Sequence, residues 1–221
     1  MFMKTFKEFL EEDFNSVYDL IAEEIDSGTP KKIKQPWDDF EHESLEEFGK
    51  YYNKNIRPHI DKTEEPFRDI LRSTKIDGSK YTVGRKSIES LHDKVMNREK
   101  PLSSVPDVLR GAILTRNKDE ARDIVAKLKD TADVAEHEYK KIGEYETGYG
   151  GAHHVVLNVN GVNAEIQIMP KKIWKVHHET HRIYKKYRSM ENPESHPDYE
   201  DDHKNSRKMF ARAQKAWQRD N

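Results

Sequence analysis

Two hydrophobic rhythms alternate along the chain. Near its start Phe6, Phe9, Leu10, Phe14, Val17, Leu20 and Ile21 recur at spacings of three and four, which places them on one face of an amphipathic helix. GTPKKIKQPW then reads as a loop from its Gly and Pro. A second helical region is expected from about Ser44 to Pro58, resuming after Thr63 through PFRDILRSTK, with IDGSK as its break. From Val105 to Arg116 the sequence turns strand-like. DEARDIVAKLKD follows as a helix with Ala121, Ile124, Val125 and Leu128 on one side, and VAEHEYKKI reads as another strand.

The clearest period-two stretch surrounds Asn160-Gly161, a strong signal for a two-residue type I′ turn and so for a β-hairpin. In that register Val159 faces Val162, Leu157 faces Ala164 and Val155 faces Ile166, and with Ile168 they form an apolar face. Asn158, Val156 and His154 then share the other face with Asn163, Glu165 and Gln167. After Pro170 the pattern returns to helix. The tail beyond Met190 is polar and Pro-bearing before a last helical segment, KNSRKMFARAQKAW. Strands interleaved with helices point to an α/β or α+β core.

Composition adds limits. With 221 residues and 34% hydrophobic content, one compact unit is the default. The net charge of −2 hides 36% charged residues, so any attraction to nucleic acid has to be sought in local clusters. No cysteine is present, which excludes disulfides and thiolate metal sites. No apolar run is long enough for a membrane span, and the opening MFMKTFKEFLEEDF fits neither a secretory signal nor a transit peptide. A soluble, cytoplasmic protein without membrane partners is expected.

Three constellations carry chemistry. In VGRKSIESLHDKV, read as a helix, Lys86, Ser90 and Lys94 fall four apart and form one stripe, opposite Ile88, Leu91 and Val95. With Arg85 beside the first turn, two ammoniums and a hydroxyl suit the oxygens of a polyphosphate, although no Walker loop is present. In SSVPDVLRGAILTR, Asp107 follows a proline and opens an apolar strand, a position that otherwise suits a turn former or cap. The third is GYGGAHHVVLNVNGVNAEIQI, where Glu165 stands on the polar face of a strand near the mouth of a glycine-rich loop. An alternating polar face ordinarily means only water. Paired across strands, Asp107 and Glu165 become candidate oxygen ligands for Mg²⁺, which takes few protein carboxylates and shares its shell with phosphates.

In this order the elements resemble the RelA/SpoT synthetase domain, in particular the small alarmone synthetases. The motifs are Lys-x-x-x-Ser-[Ile/Leu]-x-x-Lys at Lys86, Ser90, Leu91 and Lys94; the strand-opening Asp107; Tyr-x-x-x-His at Tyr149 to His153; and Glu-[Ile/Val]-Gln-Ile at Glu165 to Ile168, followed by the helix WKVHHETHRIYKKY. The resemblance implies an α+β fold of nucleotidyltransferase type, a mixed β-sheet with flanking helices. Its synthetase core would span residues 76–190, between an N-terminal helical region (1–75) and a polar linker with a C-terminal helix (191–221). It implies an ATP-dependent diphosphotransferase that passes the β,γ-diphosphate of ATP to the 3′-hydroxyl of GDP or GTP, giving (p)ppGpp and AMP. Arg85, Lys86, Ser90 and Lys94 would then hold ATP; Asp107 and Glu165 would be catalytic and hold Mg²⁺; Tyr149, His153 and Gln167 would meet the acceptor, Tyr149 by stacking on its base.

Several positions depart from the family pattern. Gly84 stands where an arginine is usual, with Arg85 adjacent; Ala112 stands where the strand usually carries an arginine, with Arg110 two residues early; Tyr145 replaces a lysine. The motif selects His153, whereas the hairpin register puts His154 on the face of Glu165, and a bulge near the glycines would reconcile them. His177 and His181, four apart, lack a third zinc ligand. Trp174, Tyr184 and Tyr187 read as docking residues. Two other readings stay open at this level: a toxin-like relative acting on the tRNA 3′ end, and a degenerate domain that binds nucleotide or a partner. Homo-oligomerisation is also left open.

Overall fold

The computed structural model describes residues 34–40, 44–97, 100–141, 145–188 and 190–218, and the helix expected from Phe6 to Ile21 lies outside them. The first helical stretch runs through α1 (Leu45–Tyr51), a π turn (Tyr52–Ile56) and α2 (Arg57–Thr74). The interruption expected between Pro58 and Thr63 does not occur. Pro58 falls in the first turn of α2, where a missing N–H is tolerated, and the π turn ahead of it is closed by the Arg57 N–H donating to the Tyr52 carbonyl, five residues back.

Then follow β1 (Lys80–Arg85), α3 (Ile88–Met96), β2 (Leu109–Thr115), α4 (Lys118–Thr131), β3 (Val134–Lys140), β4 (Ala152–Val159), β5 (Val162–Pro170), α5 (Lys171–Tyr187) and α6 (Tyr199–Gln218). β1 corrects the sequence reading, which ran a helix from Val83. The helix instead begins at Ile88, because Ser87 caps it: its Oγ accepts the Ser90 N–H at 3.2 Å. Lys86 therefore precedes the helix that carries Lys94.

The five strands form one mixed sheet in the order β1-β2-β5-β4-β3. Only β2 and β5 are parallel; the other neighbours are antiparallel. The β4–β5 hairpin has the register read from its sequence, Val159 opposite Val162 through Val155 opposite Ile166. Asn160 (φ 53°) and Gly161 (φ 84°) make the turn, both in the left-handed region a type I′ turn requires.

One sheet face, bearing Leu109, Ile113, Val155, Leu157, Ile166 and Ile168, forms the main core with Phe67 and Leu71 of α2 and with Ile124, Val125 and Leu128 of α4. α2 sits so close that a Cβ added at Gly111 would come within 2.6 Å of Leu71 Cδ2. The opposite face is covered by α5, against which α6 packs, with Ala152, Met169, Ile173, Phe210 and Ala213 as a smaller cluster. Among the described residues no helix is long and apolar enough to cross a membrane.

Candidate active site

Strand parity and pairing assemble the site on the α5 face. Gly84, Arg110, Glu165 and Val156 stand side by side in one row across β1, β2, β5 and β4. The next row holds Thr82, Ala112, Gln167 and His154. Glu165 Oε1 meets His154 Nδ1 at 3.1 Å, and Gln167 Nε2 donates to Glu165 Oε2 at 3.3 Å. His154 Nε2 in turn lies 2.8 Å from the Tyr149 hydroxyl. A carboxylate only accepts, so Nδ1 carries the imidazole proton and Nε2 is left as an acceptor for the tyrosine O–H. Burial pushes the Glu165 pKa up, but the hydrogen bond and electrostatic attraction of His154, together with Lys94, outweigh burial and the repulsion from Asp107 and bring it below its ordinary value.

Asp107 lies at the entrance to β2. The antiparallel β1–β2 ladder, extended by the Lys86 N–H donating to the Val108 carbonyl at 2.9 Å, brings Lys86 beside it. Lys86 Nζ meets Asp107 Oδ2 at 2.8 Å and Lys94 Nζ meets Oδ1 at 2.7 Å. Both lysine side chains are largely buried, 12% and 15% exposed. Burial alone would raise the Asp107 pKa, yet the two ammoniums carry it down to about 2. Burial likewise pulls Lys86 below its ordinary value, against the opposing pull of Asp107.

α5 forms the roof. The His177 ring lies 4.7 Å from that of Tyr149, and Phe210 of α6 meets the Tyr149 ring edge-on at 5.9 Å. Burial, then the neighbouring His181 and His178, push the His177 pKa down to about 4, so this ring is neutral near pH 7. Burial, followed by the Glu165 charge, raises the Tyr149 pKa well above its ordinary value, so the phenol keeps its proton. Among the described residues no group of three or more His, Asp or Glu is placed so as to hold a metal ion. Trp174 is partly buried in the smaller cluster and Tyr187 is buried, whereas Tyr184 is 43% exposed.

Two predicted site residues are placed elsewhere. Arg85 projects from the core-side face of β1 to α2, where its Nη1 meets Asp61 Oδ1 and its Nη2 meets Glu64 Oε2, both at 2.6 Å. His153 pairs with Ile168 on the apolar face, opposite Glu165, and its Nδ1 faces His137 Nε2 at 3.0 Å. It lines a shallow cleft with Lys118, Arg122, Tyr139 and Pro170, apart from the Glu165 cluster. The bulge expected near the glycines is absent from the β4–β5 pairing; the irregularity lies in β3, between Val134 and Glu136. Ser90 Oγ lies 3.1 Å from Ser87 Oγ, at the start of α3. Gly84 and Ala112, where the resemblance looked for arginines, both face the site, and so does Arg110, by the same parity.

Residues 84–189 match the region found in RelA/SpoT proteins. No curated protein matches the chain by sequence. Solved structures share the fold. A GTP pyrophosphokinase family protein from Streptococcus pneumoniae is 19% identical, with 81% of this chain and 92% of that one covered and a TM-score of 0.56. The small alarmone synthetase 1 of Bacillus subtilis, bound to its product pppGpp, is 14% identical, with 77% and 96% covered and a TM-score of 0.54. The Type VI effector Tas1, in complex with its immunity protein, is 13% identical, with 79% and 100% covered and a TM-score of 0.56. The RelA/SpoT region holds every residue of the Glu165 and Asp107 clusters, whereas α2 and α6, which flank them, lie outside it.

Proposed function

We propose that this chain is an ATP-dependent diphosphotransferase whose acceptor is the 3′-hydroxyl of GDP or GTP. The observation that carries the reading is the presence, within reach of each other's charge, of two carboxylates with complementary surroundings, Asp107 between two lysines and Glu165 behind a histidine and a tyrosine. The groups feel each other's charge, since Asp107 opposes and Lys94 assists the ionisation of Glu165. Lys86 and Lys94 each spend one N–H on Asp107 and keep two for phosphate oxygens. Arg110, in the row of Glu165, adds a guanidinium suited to phosphate.

The acceptor hydroxyl attacks the β-phosphorus of ATP, the bond from that phosphorus to the α,β-bridging oxygen breaks, and AMP leaves. In this reading the hydroxyl takes the place the Tyr149 O–H now has at His154 Nε2. Its proton passes to the imidazole, and Glu165 holds the ring by Nδ1 and stabilises the imidazolium. Mg²⁺ fits the donor set: Asp107 and Glu165 supply hard oxygens, each with a lone pair beyond its present hydrogen bond, and phosphates and water complete the shell of that ion. Once bound, the ion would neutralise charge on the transferring phosphates. The test is to incubate the purified chain with γ-labelled ATP, Mg²⁺ and, separately, GDP, GTP or tRNA. Label on the guanosine nucleotide with release of AMP is expected; label on tRNA alone, or no transfer, would overturn the reading.

A further inference from the structure

α6 lies beyond the RelA/SpoT region, yet it holds the loop that ends at Tyr149. Ser206, fully buried, donates its Oγ–H to the Thr147 carbonyl at 2.6 Å. Arg207 Nη1 donates to the Glu146 carbonyl at 3.0 Å, and the Tyr199 hydroxyl donates to Glu146 Oε2 at 2.5 Å. Between these contacts the helix backbone comes so close to Gly148 that a Cβ there would meet Arg207 Cα at 2.9 Å. Gly148 also has φ +78°, so glycine is required twice over, for conformation and for space. Phe210, one turn further along, reaches the Tyr149 ring itself.

Among the described residues, apart from the Gly148 N–H donating to the Tyr145 carbonyl and the Tyr149 N–H donating to Thr147 Oγ1, the hydrogen bonds that fix residues 146–148 come from this one helix face. We infer that α6 positions the acceptor loop, with Ser206, Arg207 and Tyr199 as positioning residues that hold the segment ending at the Tyr149 ring. The inference rests on the reading of Tyr149 as an acceptor-side residue. A loop ordered in advance binds without the entropy loss of being ordered on binding, so loosening it weakens the acceptor. ATP is spared, because its lysines stand on the β1–α3 connection and on α3.

The test uses Ser206→Ala and Tyr199→Phe in the full chain. Each should raise the KM for the guanosine nucleotide about five- to tenfold, the loss of one hydrogen bond, while the KM for ATP and kcat at saturating acceptor stay within about twofold. In nucleotide-free protein the amides of Gly148 and Tyr149 should exchange with solvent about fivefold faster in both variants. Equal shifts in both KM values, or unchanged loop exchange, would overturn the inference. If the wild type transfers nothing, the acceptor reading fails, and the exchange measurement still decides whether α6 holds the loop. Tyr199→Phe, at a half-buried residue whose hydroxyl bond is exposed, carries the test should Ser206→Ala not fold.

Discussion

Replacing Asp107 with Asn keeps the shape and removes the charge that two lysines share. In the wild type the fall of the Asp107 pKa from 3.8 to about 2 corresponds to about 2 kcal/mol of stability. Because the folded pKa is depressed, that contribution is complete above pH 3.8 and is lost as pH falls through about 2. The variant lacks it and also leaves two largely buried ammoniums without their counterion, so the loss at pH 7 should reach about 3 kcal/mol or more. Lys86 limits the loss. Burial already depresses its pKa, and without Asp107 it falls further, so its cost is full while both states are protonated and fades as pH rises toward 10.5. The gap between wild type and Asp107→Asn should therefore be widest near neutrality and close toward both ends, as read by urea unfolding at several pH values. Inorganic pyrophosphate should raise the melting temperature of the variant more than that of the wild type, by restoring an anion to the lysines. A variant within about 0.5 kcal/mol of wild type at pH 7, or a gap independent of pH, would refute the reasoning.

Gly111→Ala should destabilise by about 2 kcal/mol or more in urea unfolding, because its Cβ would press on Leu71 and Phe67 in a close-packed core. Tyr149→Phe should leave acceptor KM within about threefold while Tyr149→Ala raises it tenfold or more, if the ring rather than the hydroxyl binds the base; equal effects would make the His154 hydrogen bond the operative contact. Arg110→Ala, at an exposed position, should change the melting temperature little and raise the KM for ATP about tenfold, read from initial rates, since a guanidinium–phosphate contact is charge-assisted.

The hairpin was legible because Asn160-Gly161 fixes the turn, and a fixed turn fixes every partner by parity. That register alone set His154, not His153, beside Glu165, and the three-residue motif spacing obscured it. β1 was hidden because KYTVGR is an edge strand with partly exposed alternate positions, and Lys86 continued a helical spacing that Ser87 in fact interrupts. The lysine–aspartate cluster needs β1 and β2 paired, a contact between distant segments that no local pattern encodes. Parity along β2 could have placed Arg110 with Ala112 on the site face. Nothing in the sequence foretold Arg85 turning to Asp61 and Glu64, since that depends on where α2 crosses β1. The α6 contacts to residues 146–148 were equally out of reach, being set by how two helices stack.

The most direct test is Glu165→Gln. The amide preserves size and a hydrogen bond to His154 but removes the charge that, in the proposed mechanism, orients and stabilises the imidazolium. Transfer from γ-labelled ATP to GDP or GTP should fall about 100- to 1000-fold, while ATP affinity, measured by equilibrium binding, stays within about twofold because Lys86, Lys94 and Asp107 are untouched. Full transfer by the variant would contradict the account and leave Glu165 as a polar residue on an ordinary sheet face.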